Sequence, residues 1–96
     1  MSDTPEALRE AADRLARARR EYERGETGLK LLRQSRTAFV HSLRNTGLSH
    51  AQACLKYDNC MEEQLRLHQQ AAAALQYAER QYRALCAQAG TPAQPA

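Results

Sequence analysis

Tryptophan is absent, phenylalanine occurs once, as Phe39, and four tyrosines complete the aromatic set of this 96-residue chain. Aromatic side chains carry the largest buried area per residue, so a large globular core, with the cleft an enzyme needs, has little to be built from. Four glycines and three prolines, two of the prolines within the last five residues, are too few to reverse a multi-strand sheet. No stretch of about 18 apolar residues occurs, and the opening Met1-Ser2-Asp3-Thr4-Pro5-Glu6 is acidic and polar. Neither a signal peptide nor a membrane insertion is expected. Three cysteines, Cys54, Cys60 and Cys86, are an odd number at unremarkable spacings, which argues against a disulfide framework and for a reducing, cytoplasmic setting.

Motifs of catalysis are missing too. There is no Gly-rich phosphate loop, no G-x-S-x-G and no pair of carboxylates placed for acid–base work. His50 and Cys54, at i and i+4, are two metal-type ligands without a second pair to complete a site. The expectation is a protein with no enzymatic activity, no cofactor, no metal and no small-molecule substrate.

What is present reads as helix. Pro5 and Glu6 after Thr4 suit the first turn of a helix with Thr4 as its cap, residues 1–4 forming the cap segment. The pattern then predicts one helix over 5–45, a turn over 46–49 with its stop at Gly47, and a second helix over 50–89 capped by Ser49. A Pro-rich polar tail over 90–96 has no reason to fold and is read as flexible. In the first helix the heptad positions a and d are Leu8, Ala11, Leu15, Ala18, Tyr22, Gly25, Leu29, Leu32, Arg36, Phe39 and Leu43. In the second they are Cys54, Tyr57, Met61, Gln64, His68, Ala71, Leu75, Ala78, Tyr82 and Leu85. If the chain reverses between residues 46 and 47, residues whose numbers add to 93 face each other, and large side chains then meet small ones in most layers. The fold class is all-α, an antiparallel two-helix coiled-coil hairpin.

Two details of the seam stay open. Arg36 falls opposite Tyr57 and beside Asp58, so it either pairs with Asp58 or simply extends out of a half-wet seam. Gly25 and Gly28 weaken the first helix at its middle, where they allow a kink or fraying, or else the close approach of a second helix.

Charge is unevenly distributed. The net charge is +3. Six arginines between Arg9 and Arg24 are matched by six acids between Glu6 and Glu26, as on a solvated, ion-paired helix. Between Glu26 and Asp58 no acid occurs, while Lys30, Arg33, Arg36, Arg44 and Lys56 do, with His41 and His50. Few aromatics are interleaved for base stacking, so nucleic acid is an unlikely ligand. Off the seam, Leu31, Val40, Leu48, Leu55, Leu65 and Leu67 gather toward the same end. That coincidence marks Leu31, Arg33, Val40, Arg44, Leu55, Leu65 and Leu67 as a docking surface for another protein or for self-association, a dimer included. Incidental exposure of the leucines is the simpler alternative.

The stretch Leu31-Leu32-Arg33-Gln34-Ser35-Arg36-Thr37-Ala38-Phe39, the turn at Gly47, and Leu55-Lys56-Tyr57-Asp58-Asn59-Cys60-Met61-Glu62-Glu63-Gln64 with Gln69-Gln70 resemble the middle of the flagellar and injectisome type III export stalk proteins. The resemblance covers about 40 residues and consists mostly of coiled-coil habit. It implies a cytoplasmic, non-catalytic component of protein secretion that contacts an export ATPase and substrate chaperones. This chain is shorter than such stalks. A small secretion chaperone or adaptor that shields a partner helix fits the surplus leucines equally well. A secreted helical hairpin fits less well, given three cysteines and no Trp-x-Gly turn.

Overall fold

A computed structural model describes residues 3–90, with side chains described from Pro5 onward. The described residues form three α-helices and no strand: α1 (Asp3–Gln34), α2 (Arg36–Asn45) and α3 (His50–Gln88). The chain divides into two compact units. One combines the beginning of α1, up to Tyr22, with the end of α3, from Gln70; the other comprises 23–69. Asp3 and Thr4 already belong to α1, so Pro5 sits inside the first turn, not at its first position. The tail read over 90–96 lies outside the described residues from Thr91 on, as do Met1 and Ser2.

In the 23–69 unit, the segment expected to be one helix is two. The interruption is a single residue, Ser35, at φ −98° and ψ 13°. Backbone bonds flank it on both sides, from the Ser35 amide to the Leu31 carbonyl at 2.9 Å and from the Phe39 amide to the Ser35 carbonyl at 2.8 Å. Its cause lies in the Leu32 carbonyl, which in an unbroken helix accepts from the amide four residues on. Here it receives the Ser35 hydroxyl at 3.3 Å and the Tyr57 phenol at 2.9 Å. Side chains inserted into the ladder in this way are a standard origin of helix bends.

Tyr57 is the centre of this unit. Only 4% exposed, it packs with Val40 and Ala53, and Leu32, Phe39, Leu43, Cys54 and Met61 pack around the three. The Phe39 ring meets it edge-on with centroids 5.5 Å apart, and the Arg36 guanidinium lies 5.3 Å from its ring centroid. The Arg36 question is thereby answered: the cation rests over an aromatic face, and the described residues show no ion pair between it and Asp58. The glycines behave differently from each other and neither breaks α1. A Cβ built on Gly25 would sit 2.6 Å from Nδ1 of His68, whereas one on Gly28 would meet nothing. Gly25 opposite His68 and Leu32 bonded to Tyr57 also show that, within this unit, α1 and α3 run antiparallel.

The turn forms as its residues require. Gly47 takes φ +103°, a conformation that costs other residues far more. The Thr46 hydroxyl donates to the Leu43 carbonyl at 2.6 Å. Ser49 caps α3 in a reciprocal box: its hydroxyl accepts from the Gln52 amide at 3.1 Å, and the Gln52 side-chain oxygen accepts from the Ser49 amide at 2.9 Å.

In the other unit the buried side chains are Ala11, Leu15, Ala78 and Cys86. Leu8, Ala18, Tyr22, Ala71, Leu75, Tyr82 and Leu85 are half-buried beside them. A hydrogen bond with Cys86, one turn away, pushes the Tyr82 phenol above its ordinary range, against the opposing pull of the Arg19 charge. α3 closes at Gln88 and Gly90 takes φ +72°, a helix stop of the expected kind one residue early. Across both units, every heptad position inferred from the sequence is withdrawn from full exposure except Arg36 and Gln64.

Candidate functional site

The seven residues marked for docking all fall in the 23–69 unit. Their fates differ. Leu31 and Leu55 are 59% and 60% exposed, Leu65 and Leu67 are exposed to a smaller degree, and Arg33 and Arg44 reach solvent. Val40 does not: at 6% exposed it is core, packed with Ala53 and Tyr57, and is withdrawn from the docking set. The reason is the small partner. Val40 and Ala53 obey the same sum of 93 as the seam layers, so alanine on α3 leaves room for valine on α2.

The exposed leucines do not form one patch. At 3.6 residues per turn, Leu65 and Leu67 on α3 point about 160° apart, on opposite flanks of the stripe that carries Tyr57 and His68. Leu55 points away from that stripe and lies within about 80° of Leu65. Leu55 and Leu65 are therefore the pair able to serve one partner on α3.

A second arrangement was not visible in the leucine pattern. Arg36, Thr37, Val40, His41 and Arg44 of α2, with His50 at the start of α3, line one cavity of about 200 Å³. Arg36, Val40 and Arg44 stand at i, i+4 and i+8, and Thr37 and His41 at i and i+4 beside them, so α2 presents them on one face. No acid lines the cavity. The spacing of Arg36, His41 and Arg44, five and then three residues apart and so on neighbouring strips of one helical face, was the signal that could have located it. On α2 a shallower depression of about 280 Å³ is lined by Ser35, Ala38, Phe39, Ser42 and Leu43.

Chemistry beyond binding finds few groups. His50 Nε2 lies 3.5 Å from the Cys54 thiol, so the i, i+4 pair does meet. Among the described residues no cluster of three or more His, Cys, Asp or Glu is placed to hold a metal ion. Cys86 is buried and Cys54 and Cys60 are half-buried, all three as free thiols. The Glu63–Arg66 pair on α3 lowers the carboxyl and raises the guanidinium through their mutual hydrogen bond, but both are exposed and contribute little. No described helix is long and apolar enough to cross a membrane. Comparison with protein-family models, with curated proteins and with solved structures finds no match to this chain.

Proposed function

We propose that this chain is a non-catalytic interaction protein, an antiparallel helical hairpin whose 23–69 unit docks another protein. The observation that carries this reading is the exposure of Leu31 and Leu55 within a segment, 27–57, that holds no acid and five exposed basic residues, Lys30, Arg33, Arg36, Arg44 and Lys56. Exposed leucines supply anchors that gain affinity when water is excluded, and the surrounding positive charge speeds the approach of an acidic partner. The resemblance to type III export stalk proteins suggests the setting, a cytoplasmic component of protein transport that contacts an ATPase or secretion chaperones. A chaperone-like role is favoured by one further observation, the depression beside Phe39 and Leu43, which offers an apolar floor to a partner's side chain.

A Leu55→Asp, Leu65→Asp variant tests the docking reading. Sedimentation velocity and affinity capture from native lysate should show partner binding or self-association lost, with helicity by circular dichroism retained. Reversing charge at Arg33 and Arg44 to Glu should slow association and flatten its salt dependence. If both variants associate like the parent, the contact surface lies outside this unit.

A further inference from the structure

We propose that the cavity between α2 and the start of α3 is a binding site for a phosphate group. Arg36, Thr37, His41, Arg44 and His50 line it together with the apolar Val40. Two arginines, two histidines and a threonine with no acid among them form a donor-rich, positively charged lining that favours an anion. The donors come from two helices and from positions spread along more than two turns of α2. That arrangement suits a tetrahedral oxyanion, which accepts from several directions, better than a planar carboxylate, which accepts in one plane. A volume of about 200 Å³ admits the group together with part of what carries it.

One donor is held in advance. The Arg36 guanidinium rests over the Tyr57 ring, and Tyr57 is itself fixed by its bond to the Leu32 carbonyl. Holding a cation in place before the ligand arrives lowers the ordering cost of binding. His50 is constrained as well, by the Cys54 thiol beside its Nε2. When Nε2 accepts from that thiol, the neutral ring carries its proton on Nδ1, where it remains free to donate to a ligand.

The phosphate has two sources, a free phosphate compound or a phosphorylated side chain of a docked protein. Only the second rests on the docking reading. The experiment is an NMR titration of the three imidazoles at pH 7 and constant ionic strength. The probes are inorganic phosphate, a phosphoserine peptide with neutral flanking residues, and chloride as control. His68, which lies against Gly25 and does not line the cavity, is the internal reference. Expected are saturable shifts at His41 and His50 with phosphate, silence at His68, and no comparable effect of chloride. Arg44→Gln should weaken binding about tenfold, the loss of one charge-assisted hydrogen bond, while Arg9→Gln, in the other unit, should bind like the parent. A peptide that binds tenfold tighter than inorganic phosphate assigns the site to a phosphorylated partner, and equal binding assigns it to free phosphate. The proposal is overturned by non-saturable shifts, by equal shifts at His68 or with chloride, or by an Arg44→Gln variant that binds as the parent does. Because these probes do not involve Leu55 or Leu65, the site can fail while leucine docking holds, and the reverse.

Discussion

The two units bury the same heptad pattern with different chemistry. In the unit that joins early α1 to late α3, the buried side chains are two alanines, a leucine and a cysteine. In the 23–69 unit they are leucine, valine, alanine and a tyrosine whose hydroxyl is bonded to a helix carbonyl. Small side chains let backbones approach but specify little about orientation. A buried phenol requires a partner at one distance and direction, and so fixes geometry as well as contributing burial. The unit with the specifying residue is also the one that holds the helix interruption, the capped turn, the basic cavity and the exposed leucines.

The strongest way to break that comparison is to remove its centre. Tyr57→Ala should cost about 3–5 kcal/mol, as large aromatic truncations in cores do, measured by chemical denaturation. Tyr57→Phe keeps the ring and should cost only about 1 kcal/mol, for the lost bond to Leu32. Leu15→Ala, in the other unit, should cost about 2–3 kcal/mol, less than Tyr57→Ala because fewer buried atoms are removed. Native-state hydrogen exchange then sharpens the result. Tyr57→Ala should loosen amides of 23–69 preferentially and Leu15→Ala those of 5–22 and 70–90. Uniform loss of protection in both variants would mean that the units do not differ as described.

A smaller effect separates seam from surface within the first unit. Tyr82 is a heptad position and half-buried, while Tyr77 is 59% exposed and accepts a hydrogen bond from Gln81. Tyr82→Ala should therefore lower the melting temperature more than Tyr77→Ala. Equal losses would remove support for the seam in that unit. The Tyr82 phenol adds a direction in pH. Its raised value means the folded state holds the proton longer than the unfolded chain, so its contribution is complete below the ordinary tyrosine value and declines as pH rises through it. Cys86→Ala should weaken that alkaline dependence, since the bond to Cys86 is its largest cause.

How much of this was legible in the sequence follows from the range of each cause. The helical character, the turn at Gly47 and the Ser49 cap come from local spacing and residue type, and there sequence and structure agree, whereas the helix expected over 5–45 begins at Asp3 and is interrupted at Ser35. Gln52 three residues after Ser49 is a capping box legible from spacing alone. The Ser35 interruption was not legible, because the phenol that helps cause it lies 25 residues beyond the Leu32 carbonyl it bonds. Val40 was misjudged because exposure was inferred from heptad position alone, without asking how small the residue opposite was. The leucines were grouped by their numbers along the chain, and helical rotation then turned Leu65 and Leu67 to opposite flanks. The basic cavity escaped because net charge was summed over a window instead of being placed on the face of a helix.

The finest comparison lies between two glycines three residues apart in α1. Both occupy a helix interior, where glycine costs about 0.5–1 kcal/mol relative to alanine through its larger loss of backbone freedom. At Gly28 a Cβ would meet nothing, so Gly28→Ala should recover that amount and raise the melting temperature by a few degrees. At Gly25 the same Cβ would sit 2.6 Å from Nδ1 of His68, and the imidazole must turn or the helices must separate to admit it. Gly25→Ala should forfeit the gain and fall below the parent, and His68→Ala in the same chain should restore it by removing the ring. That rescue distinguishes a steric conflict from an intrinsic need for glycine. If Gly25→Ala instead stabilised the protein as much as Gly28→Ala, the close approach of α3 at His68 would not constrain this position, and the packing described for the 23–69 unit would have to be looser at this end than around Tyr57.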